Sequence, residues 1–153
     1  MRPWERRIFN AATGAVSLTG FAYLWMKYVI QNPDPFALVN HPWEGAMLAG
    51  HLMVSPILIL AFGIVFNSHV MKKLGVTGMH NRRTGLTSLA TFATMVLSGY
   101  LLQVTASESF LRALVIVHVG AGTLFSVVYS VHLLISWRLG RRARRVHALA
   151  GVA

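Results

Sequence analysis

The run FLRALVIVHVGAGTLFSVVYSVHLLISW, from Phe110 to Trp137, decides the fold of this chain. A helix needs about 20 mostly apolar residues to cross the core of a bilayer, and the one charge here, Arg112, stands near the start of the run. Three further windows have the same character, so we predict membrane-crossing helices at residues 8–30, 45–71, 84–104 and 110–137. We therefore predict an all-α integral membrane four-helix bundle, forming one domain over residues 1–153 and ending in a basic tail, residues 138–153.

The composition excludes several other classes of protein. Of the 153 residues, 55% are hydrophobic and only 12% are charged, with a mean hydropathy of +0.57, whereas an average soluble domain is about 25% charged. The chain has no cysteine, which excludes a disulfide scaffold and a thiolate metal site. Its net charge of +10 would indicate nucleic-acid binding if the basic residues lay on one face of a soluble domain. The predicted crossings leave no soluble domain that could recognise a nucleic acid, so we expect no nucleic-acid partner.

The positions of the basic residues predict the orientation in the membrane, because Lys and Arg resist translocation. One side of the predicted bundle receives twelve of the fourteen: Arg2, Arg6, Arg7, Lys72, Lys73, Arg82, Arg83, Arg138, Arg141, Arg142, Arg144 and Arg145. The other side receives Lys27 and Arg112, with the acidic residues Asp34, Glu44 and Glu108. We therefore expect both termini in the cytoplasm, in a multi-pass protein of a bacterial inner membrane. The basic tail would lie against anionic membrane lipid.

Short sequence matches suggest an internal duplication of a two-helix unit. The first and third predicted helices each follow an Arg-Arg pair and contain a Thr-Gly step, at Thr13-Gly14 and at Thr84-Gly85. They also carry Leu-Thr-Gly-Phe at residues 18–21 and Leu-Ser-Gly-Tyr at residues 97–100. The second and fourth helices each carry two histidines. Small residues are also common wherever membrane helices pack closely, so ordinary helix packing is the alternative explanation.

Four histidines lie inside the predicted membrane helices, and an intramembrane ionisable residue predicts a functional site. The step from His118 to His132 returns to within about 40° of one helix face at a separation of about 21 Å. The step from His51 to His69 returns to the same face at about 27 Å. Because the second and fourth helices run in the same direction, depth pairs His51 with His118 near the outer boundary. It pairs His69 with His132 near the inner boundary.

Two neutral imidazoles that face each other suit the two axial positions of a haem iron, and two such levels give an electron path across the bilayer. We therefore predict His51, His118, His69 and His132 as cofactor-binding and metal-ligating residues, and we assign no catalytic residue. Zinc or copper is less suited, because no cysteine or carboxylate lies within the membrane to complete a site. His41 is the alternative ligand on the outer side, and is otherwise a loop residue beside Trp43.

The segment His118-Val-Gly-Ala-Gly, with His132-Leu-Leu-Ile-Ser-Trp-Arg138 after it, resembles the ligand helix of small di-haem b-type membrane cytochromes. These proteins are relatives of the cytochrome b subunits of formate dehydrogenases and hydrogenases, and His41-Pro-Trp is similar to the opening of their second helix. The resemblance implies two non-covalent b haems and electron transfer between a quinone pool and a periplasmic redox partner, a c-type cytochrome or an iron-sulfur subunit. It also implies residence in a larger respiratory complex. His69 departs from the pattern, since it follows His51 by roughly one turn more than the usual spacing.

Other functions stay open at this stage. A non-redox membrane anchor or small transporter subunit would use buried histidine pairs to bond one another or to move protons, and would hold no cofactor. A proton relay, however, needs closer spacing than about 20 Å. A haem enzyme acting on a small molecule would need an open axial position on its iron. If quinol is oxidised, the titratable groups of the outer loop, Asp34, His41 and Glu44, make the outer face one candidate quinone site.

Overall fold

The computed structural model describes residues 1–74 and 81–150, and for residues 143–150 it describes the backbone alone. Every regular element in these residues is helical, which confirms the prediction of an all-α chain. The elements in chain order are α1 (Pro3–Tyr28), α2 (Glu44–Val65), a π-turn (Phe66–Val70), α3 (Met71–Leu74), α4 (Arg82–Val104) and α5 (Glu108–Ala150). Part of the predicted basic tail, residues 151–153, lies outside the described residues.

The four predicted crossings correspond to four long helical segments, and the differences lie at their ends. Helix α1 begins at Pro3 instead of residue 8, because proline suits the first helical turn and Glu5 accepts a hydrogen bond from the backbone N–H of Arg2 at 2.7 Å. Helix α5 continues to Ala150, well beyond the predicted end at residue 137. The arginine and alanine residues that follow Trp137 are good helix formers, so nothing stops the helix at the membrane boundary.

Three helical segments of the described residues are long and apolar enough to cross a bilayer: Glu44–Leu74, Arg82–Val104 and Glu108–Arg142. Helix α1 is not among these three, because polar residues such as Asn10 and Ser17 interrupt its apolar stretch. Many large apolar side chains on the long helices are exposed, Leu60 and Ile116 among them, as expected of surfaces that face lipid. The structure therefore supports a membrane protein, and the crossing by α1 stays a prediction.

The chain divides into two compact units, Met1–Val76 and Thr77–Ala153. In the first unit α1 packs against α2, and in the second unit α4 packs against α5. Aromatic rings join the helices of each pair: the centroids of Phe9 and Phe62 are 6.2 Å apart in the first unit, and those of Phe92 and Phe125 are 5.5 Å apart in the second. Each unit is thus a helix pair with its own small core.

The two units repeat one pattern of burial. When Gly20 of α1 is aligned with Gly99 of α4, four of the five buried positions of each helix coincide: Phe9 with Ser88, Ala12 with Thr91, Thr13 with Phe92, and Val16 with Met95. When His51 of α2 is aligned with His118 of α5, the buried Leu58 falls on the buried Phe125. We call these two alignments the unit register. The shared burial supports a repeated two-helix unit.

The unit register changes one detail of the repeat expected from the sequence. The Thr13-Gly14 step does not correspond to Thr84-Gly85, because Glu5 takes the register position of Thr84. A Cβ atom built on Gly14 would meet nothing within 4 Å, whereas one built on Gly85 would lie 3.5 Å from His132. The two Thr-Gly steps therefore stand in different surroundings.

Candidate functional site

His51 of α2 lies against a step of small residues on α1. Its Nδ1–H donates to the carbonyl oxygen of Val16 at 3.0 Å, and the Oγ1 atom of Thr19 is 3.3 Å from the same nitrogen. A Cβ atom built on Gly20 would lie 2.9 Å from Cε1 of the imidazole, so only glycine lets the ring come this close. We call this combination of a helix carbonyl, a hydroxyl and a glycine around one imidazole a histidine cradle.

The second unit builds the same cradle around His118 of α5. The Nδ1–H of His118 donates to the carbonyl oxygen of Met95 at 3.0 Å, and Oγ of Ser98 is 3.3 Å from that nitrogen. A Cβ atom built on Gly99 would lie 2.9 Å from Cε1 of the ring. The unit register aligns Val16 with Met95, so the two cradles use equivalent positions in the two helix pairs.

The glycine of a cradle leaves room for the imidazole, and it also leaves the carbonyl oxygen that accepts the hydrogen bond accessible to the ring. In an α-helix the carbonyl of one residue meets the N–H of the residue four positions later, so the carbonyl of Val16 lies beside Gly20. A side chain at that glycine would cover the carbonyl on the side from which the ring approaches. The hydroxyl of Thr19 donates to the carbonyl of Ala15 at 2.8 Å, so its oxygen is left to accept from His51.

The cradles set the protonation form of their histidines. A carbonyl oxygen can only accept a hydrogen bond, so Nδ1 of His51 and Nδ1 of His118 each carry the ring hydrogen. In a neutral imidazole the lone pair then belongs to Nε2. Histidines that ligate a metal through Nε2 commonly donate Nδ1–H to a backbone carbonyl or carboxylate, which orients the ring and raises its basicity. Both cradles therefore present the form of histidine that suits a metal ligand.

His132 of α5 sits in a third, looser cradle at the start of α4, which we define by its hydroxyl and its glycine alone. Its Nδ1 is 3.1 Å from Oγ1 of Thr84, and that hydroxyl donates to Asn81, so it accepts from the imidazole. The amide of Asn81 donates in turn to the backbone carbonyl of His132 at 3.2 Å. A Cβ atom built on Gly85 would lie 3.5 Å from Cε1 of the ring, which is an ordinary contact. The third cradle orients its ring through the hydroxyl and leaves more space between the glycine and the ring.

His69 lies in different surroundings from the other three histidines. It is half-buried in the π-turn Phe66–Val70, and π-turns are single-turn bulges often found at functional sites. In the unit register His132 corresponds to Val65, and His69 lies four residues beyond Val65, inside the π-turn that interrupts the register. The two inner histidines predicted as a pair therefore do not occupy equivalent positions in the two units.

His41, the alternative ligand on the outer side, is held by the loop backbone. The backbone N–H of Trp43 donates to Nδ1 of His41 at 3.1 Å in the loop before α2, so His41 carries its ring hydrogen on Nε2, the opposite form to His51. Within residues 1–74 and 81–142, no group of three or more His, Cys, Asp and Glu side chains gathers as a metal site. Zinc and copper sites use three or more such side chains, whereas a haem iron takes at most two protein ligands. The absence of a larger group in these residues therefore concerns zinc and copper sites and does not test a haem site.

The sequence marks Gly14, Gly20, Gly85 and Gly99 as positions of close helix packing. The structure places Gly20, Gly85 and Gly99 against an imidazole, whereas a Cβ atom built on Gly14 would meet nothing within 4 Å. The sequence did not predict the two carbonyl acceptors, at Val16 and Met95, because a backbone acceptor leaves no mark in residue type. The available signal was a hydroxyl residue directly before a glycine. That step occurs in each of the three cradles.

No protein-family model matches the chain, and no curated protein or solved structure matches it at a significant level. The three cradles and the sequence itself are therefore what support a function. The resemblance to di-haem b-type cytochromes stays a prediction.

Proposed function

We propose that the chain is a di-haem cytochrome b subunit that carries electrons across a bilayer between a quinone pool and a periplasmic redox partner. The observation that carries this proposal is the repeated cradle. Two units of one chain each hold an imidazole with its Nδ1–H on a helix carbonyl and a glycine against its ring.

The donor set fits a b haem. Neutral histidines in the Nε2-ligand form are the usual axial ligands of low-spin b haems, and His51 and His118 have that form. The haem would supply one-electron transfer, while the chain binds it, orients its ligands and keeps water away. We keep the sequence-based pairing of His51 with His118 at the outer level. His132 belongs to the inner level, where the sequence pairs it with His69.

The membrane arrangement is part of the proposal. We propose a four-helix bundle in which α1 is the fourth crossing, both termini face the cytoplasm, and the membrane is a bacterial inner membrane. Aromatic and basic side chains at the ends of two predicted crossings support a membrane boundary at those points. Lys27 donates to the hydroxyl of Tyr23 at 2.8 Å, and the guanidinium of Arg141 lies 4.5 Å from the ring centre of Trp137. Such pairs are typical of helix ends at headgroup level.

An electron path across a bilayer needs an electron donor at one end of the bundle and an acceptor at the other. We propose a c-type cytochrome or an iron-sulfur subunit on the periplasmic side. Quinone would bind at the end of the bundle from which electrons or protons enter.

The cradles also bear on the main alternative, a non-redox anchor or transporter. A histidine that relays protons must release and regain its ring hydrogens as the proton passes. In both close cradles, however, one ring hydrogen is held by a backbone carbonyl that cannot donate one back. This arrangement favours a ligand over a relay.

The deciding experiment is a reduced-minus-oxidised visible spectrum with a pyridine haemochrome assay on the purified full chain. The proposal expects two b haems per chain, falling to one in His51→Ala and equally to one in His118→Ala. His41→Ala is the matched control, because His41 lies in the loop before α2, and it should retain both haems. A chain that holds no haem would refute the cytochrome proposal and return the protein to the anchor or transporter class.

A further inference from the structure

The loop between α1 and α2 ends in a tip, residues 33–38, that presents two apolar side chains. The side chain of Phe36 is 89% exposed, and that of Leu38 is fully exposed. Among the residues that the structure describes, no other large apolar side chain is as exposed as these two. Both lie outside the helices, since α1 ends at Tyr28 and α2 begins at Glu44. A helix that faces lipid along its length therefore does not account for them.

The tip pairs its own backbone N–H groups. Residues 33 and 35 are prolines and have no N–H to pair. The N–H of Asp34 donates to Oδ1 of Asn32 at 3.0 Å, and the N–H of Phe36 donates to Oδ1 of Asp34 at 2.9 Å. The N–H of Ala37 donates to the carbonyl of Asp34 at 3.1 Å. Within residues 33–37, all of which the structure describes, no backbone donor thus depends on water.

Hydrogen bonds at the neck of the loop hold the tip close to the ends of both helices. The side-chain amide of Asn40 donates to the carbonyl of Lys27 at 2.8 Å, and its backbone N–H donates to the carboxylate of Glu44 at 3.3 Å. The amide of Asn32 donates across the neck to the carbonyl of Val39 at 3.1 Å. Glu44 begins a helical segment long and apolar enough to cross a bilayer. A six-residue tip extends at most about 10 Å from such a neck, so it stays near the membrane boundary.

We infer that this tip is a membrane-interface anchor, in which the side chains of Phe36 and Leu38 enter the lipid just below the headgroups. The backbone of the tip and Asp34 stay at headgroup level, where water reaches the carbonyl oxygens. An unpaired N–H group is costly next to lipid, and the tip has paired those of residues 33–37 in advance. The inference goes beyond the proposed function and involves no cofactor, because it requires only that α2 crosses the bilayer.

The same features favour lipid over a partner protein as the occupant. A protein interface carries about one hydrogen bond for every 100–200 Å² of its area. The N–H groups of residues 33–37 are already used inside the tip, and the one charged side chain, Asp34, accepts from the tip's own backbone. What the tip presents outward is mainly the apolar surface of Phe36 and Leu38, which lipid accepts without directional contacts.

The test is a depth measurement on the full chain in vesicles of phosphatidylethanolamine and phosphatidylglycerol. The chain has no cysteine, so Ala37→Cys allows a single nitroxide to be attached between the two apolar side chains. Electron paramagnetic resonance then compares collisions of the nitroxide with oxygen, which concentrates in lipid, and with a water-soluble nickel chelate present on both sides of the bilayer. We expect oxygen to collide with this label more often than the chelate does.

Two substitutions at the apolar positions provide a matched pair in the labelled chain. Phe36→Ser with Leu38→Ser removes the apolar surface and should make the chelate the more frequent collision partner. Phe36→Leu with Leu38→Phe exchanges the two side chains and keeps the apolar surface, so oxygen should remain the more frequent partner.

Substitutions of Asp34 separate the paired backbone from the charge. Asp34→Asn keeps a side-chain oxygen that can accept from the N–H of Phe36, so the label should stay at its depth. Asp34→Ala leaves that N–H without its acceptor, so the label should move toward the water. If Asp34→Ala moves the label deeper into the lipid, charge alone sets the depth and the role of the paired N–H is wrong.

Two results with the otherwise unsubstituted labelled chain would overturn the inference. A label that the chelate reaches more often than oxygen would show that the tip stands in water. A label that neither reagent reaches would show that the tip is packed against protein, either a second copy or another part of the chain. Neither result depends on haem content, so a failure here is distinct from a failure of the proposed function.

Discussion

Gly20 and His51 are in such close contact that a single added carbon would collide with the ring: a Cβ atom on Gly20 would lie 2.9 Å from Cε1 of the imidazole. The same distance separates an added Cβ on Gly99 from His118. The position of each ring is therefore set by the backbone of the neighbouring helix. A helix backbone is stiffer than any side chain, so these rings have well-defined orientations.

Alanine at Gly20 or Gly99 should displace the imidazole and weaken haem retention, by roughly 10- to 100-fold as for lost outer-shell contacts of metal ligands. Haem content after dilution in detergent measures the effect. Gly85→Ala, whose Cβ would make an ordinary contact at 3.5 Å, should be mild, and Gly14→Ala should be neutral. Equal losses in all four variants would mean that helix packing, not ligand orientation, requires the glycines.

Removal of a cradle hydroxyl should weaken haem binding less than substitution of a cradle glycine by alanine. In Thr19→Val and Ser98→Ala the imidazole keeps its carbonyl acceptor, so we expect haem affinity to fall by about 10-fold or less. Titration of the haem-free chain with haem measures this. Thr94→Val is the control, because the Thr94 hydroxyl is exposed and donates within its own helix to Ala90. An affinity loss in Thr94→Val as large as in Thr19→Val would contradict the role of the hydroxyl.

Leu58 and Phe125 occupy one register position and are buried in the cores of the two units, with 2% and 3% of their surfaces exposed. Leu58→Ala should lower the free energy of unfolding by roughly 1–3 kcal/mol, less than in many soluble cores because a membrane core gains no transfer from water. Unfolding in mixed detergent micelles measures it. Leu60→Ala, at a position 69% exposed, should change stability little. A larger loss at Leu60 would place that face against protein instead of lipid.

The pKa of Glu5, which precedes the predicted first crossing, lies below its usual range, chiefly because the carboxylate accepts the backbone N–H of Arg2. A lowered folded-state pKa contributes stability that is present above the unfolded value, about 4.3, and is lost as the pH falls through the folded pKa. Glu5→Gln should therefore lower the Tm at pH 7, and the difference should shrink in acid. Glu108→Gln, in an exposed ion pair with Arg112, should leave Tm nearly unchanged. A Glu5→Gln difference that grows in acid would contradict this account.

Because the chain has no cysteine, single cysteines can report its topology. If α1 crosses the membrane, Arg2→Cys and Asp34→Cys should react with a membrane-impermeant maleimide from opposite sides of the membrane. In sealed spheroplasts Asp34→Cys should label directly, and Arg2→Cys only after permeabilisation. Lys72→Cys should label like Arg2→Cys. Labelling of Arg2→Cys and Asp34→Cys from one side would refute the crossing by α1.

Much of the fold could be predicted because the thickness of the bilayer and the positions of the apolar runs limit where helices can cross. The limits of the α4 window, residues 84–104, agree with Arg82–Val104 to within two residues. The two ends that differ most, Pro3 and Ala150, are set by local preferences of residues outside the apolar runs. A hydropathy window does not register those preferences, which is why the continuation of α5 past Trp137 was missed.

The sequence predicts which residue types form the candidate site, but it predicts less well which positions of the two helix pairs correspond. Histidines inside apolar helices are recognisable as candidate functional residues, because an ionisable side chain is energetically unfavourable in the membrane. The register of the two units, however, depends on contacts and burial. For α1 and α4 it follows the buried positions and the cradle glycines, whereas the sequence match between Thr13-Gly14 and Thr84-Gly85 gives a different alignment. Side-chain spacing along one helix cannot reveal which backbone carbonyl a neighbouring helix offers.

The cradles have a consequence for biogenesis. Val16 and Thr19 hold His51 through contacts inside one helix pair, so the ring is oriented as soon as that hairpin folds in the membrane. A cofactor arriving later would meet ligands that have already lost their rotational freedom, and it would not have to supply that entropy from its own binding energy. Insertion of the chain and loading of the cofactor are thereby separable steps. A chain made while haem is scarce would persist as a folded apoprotein ready to be filled.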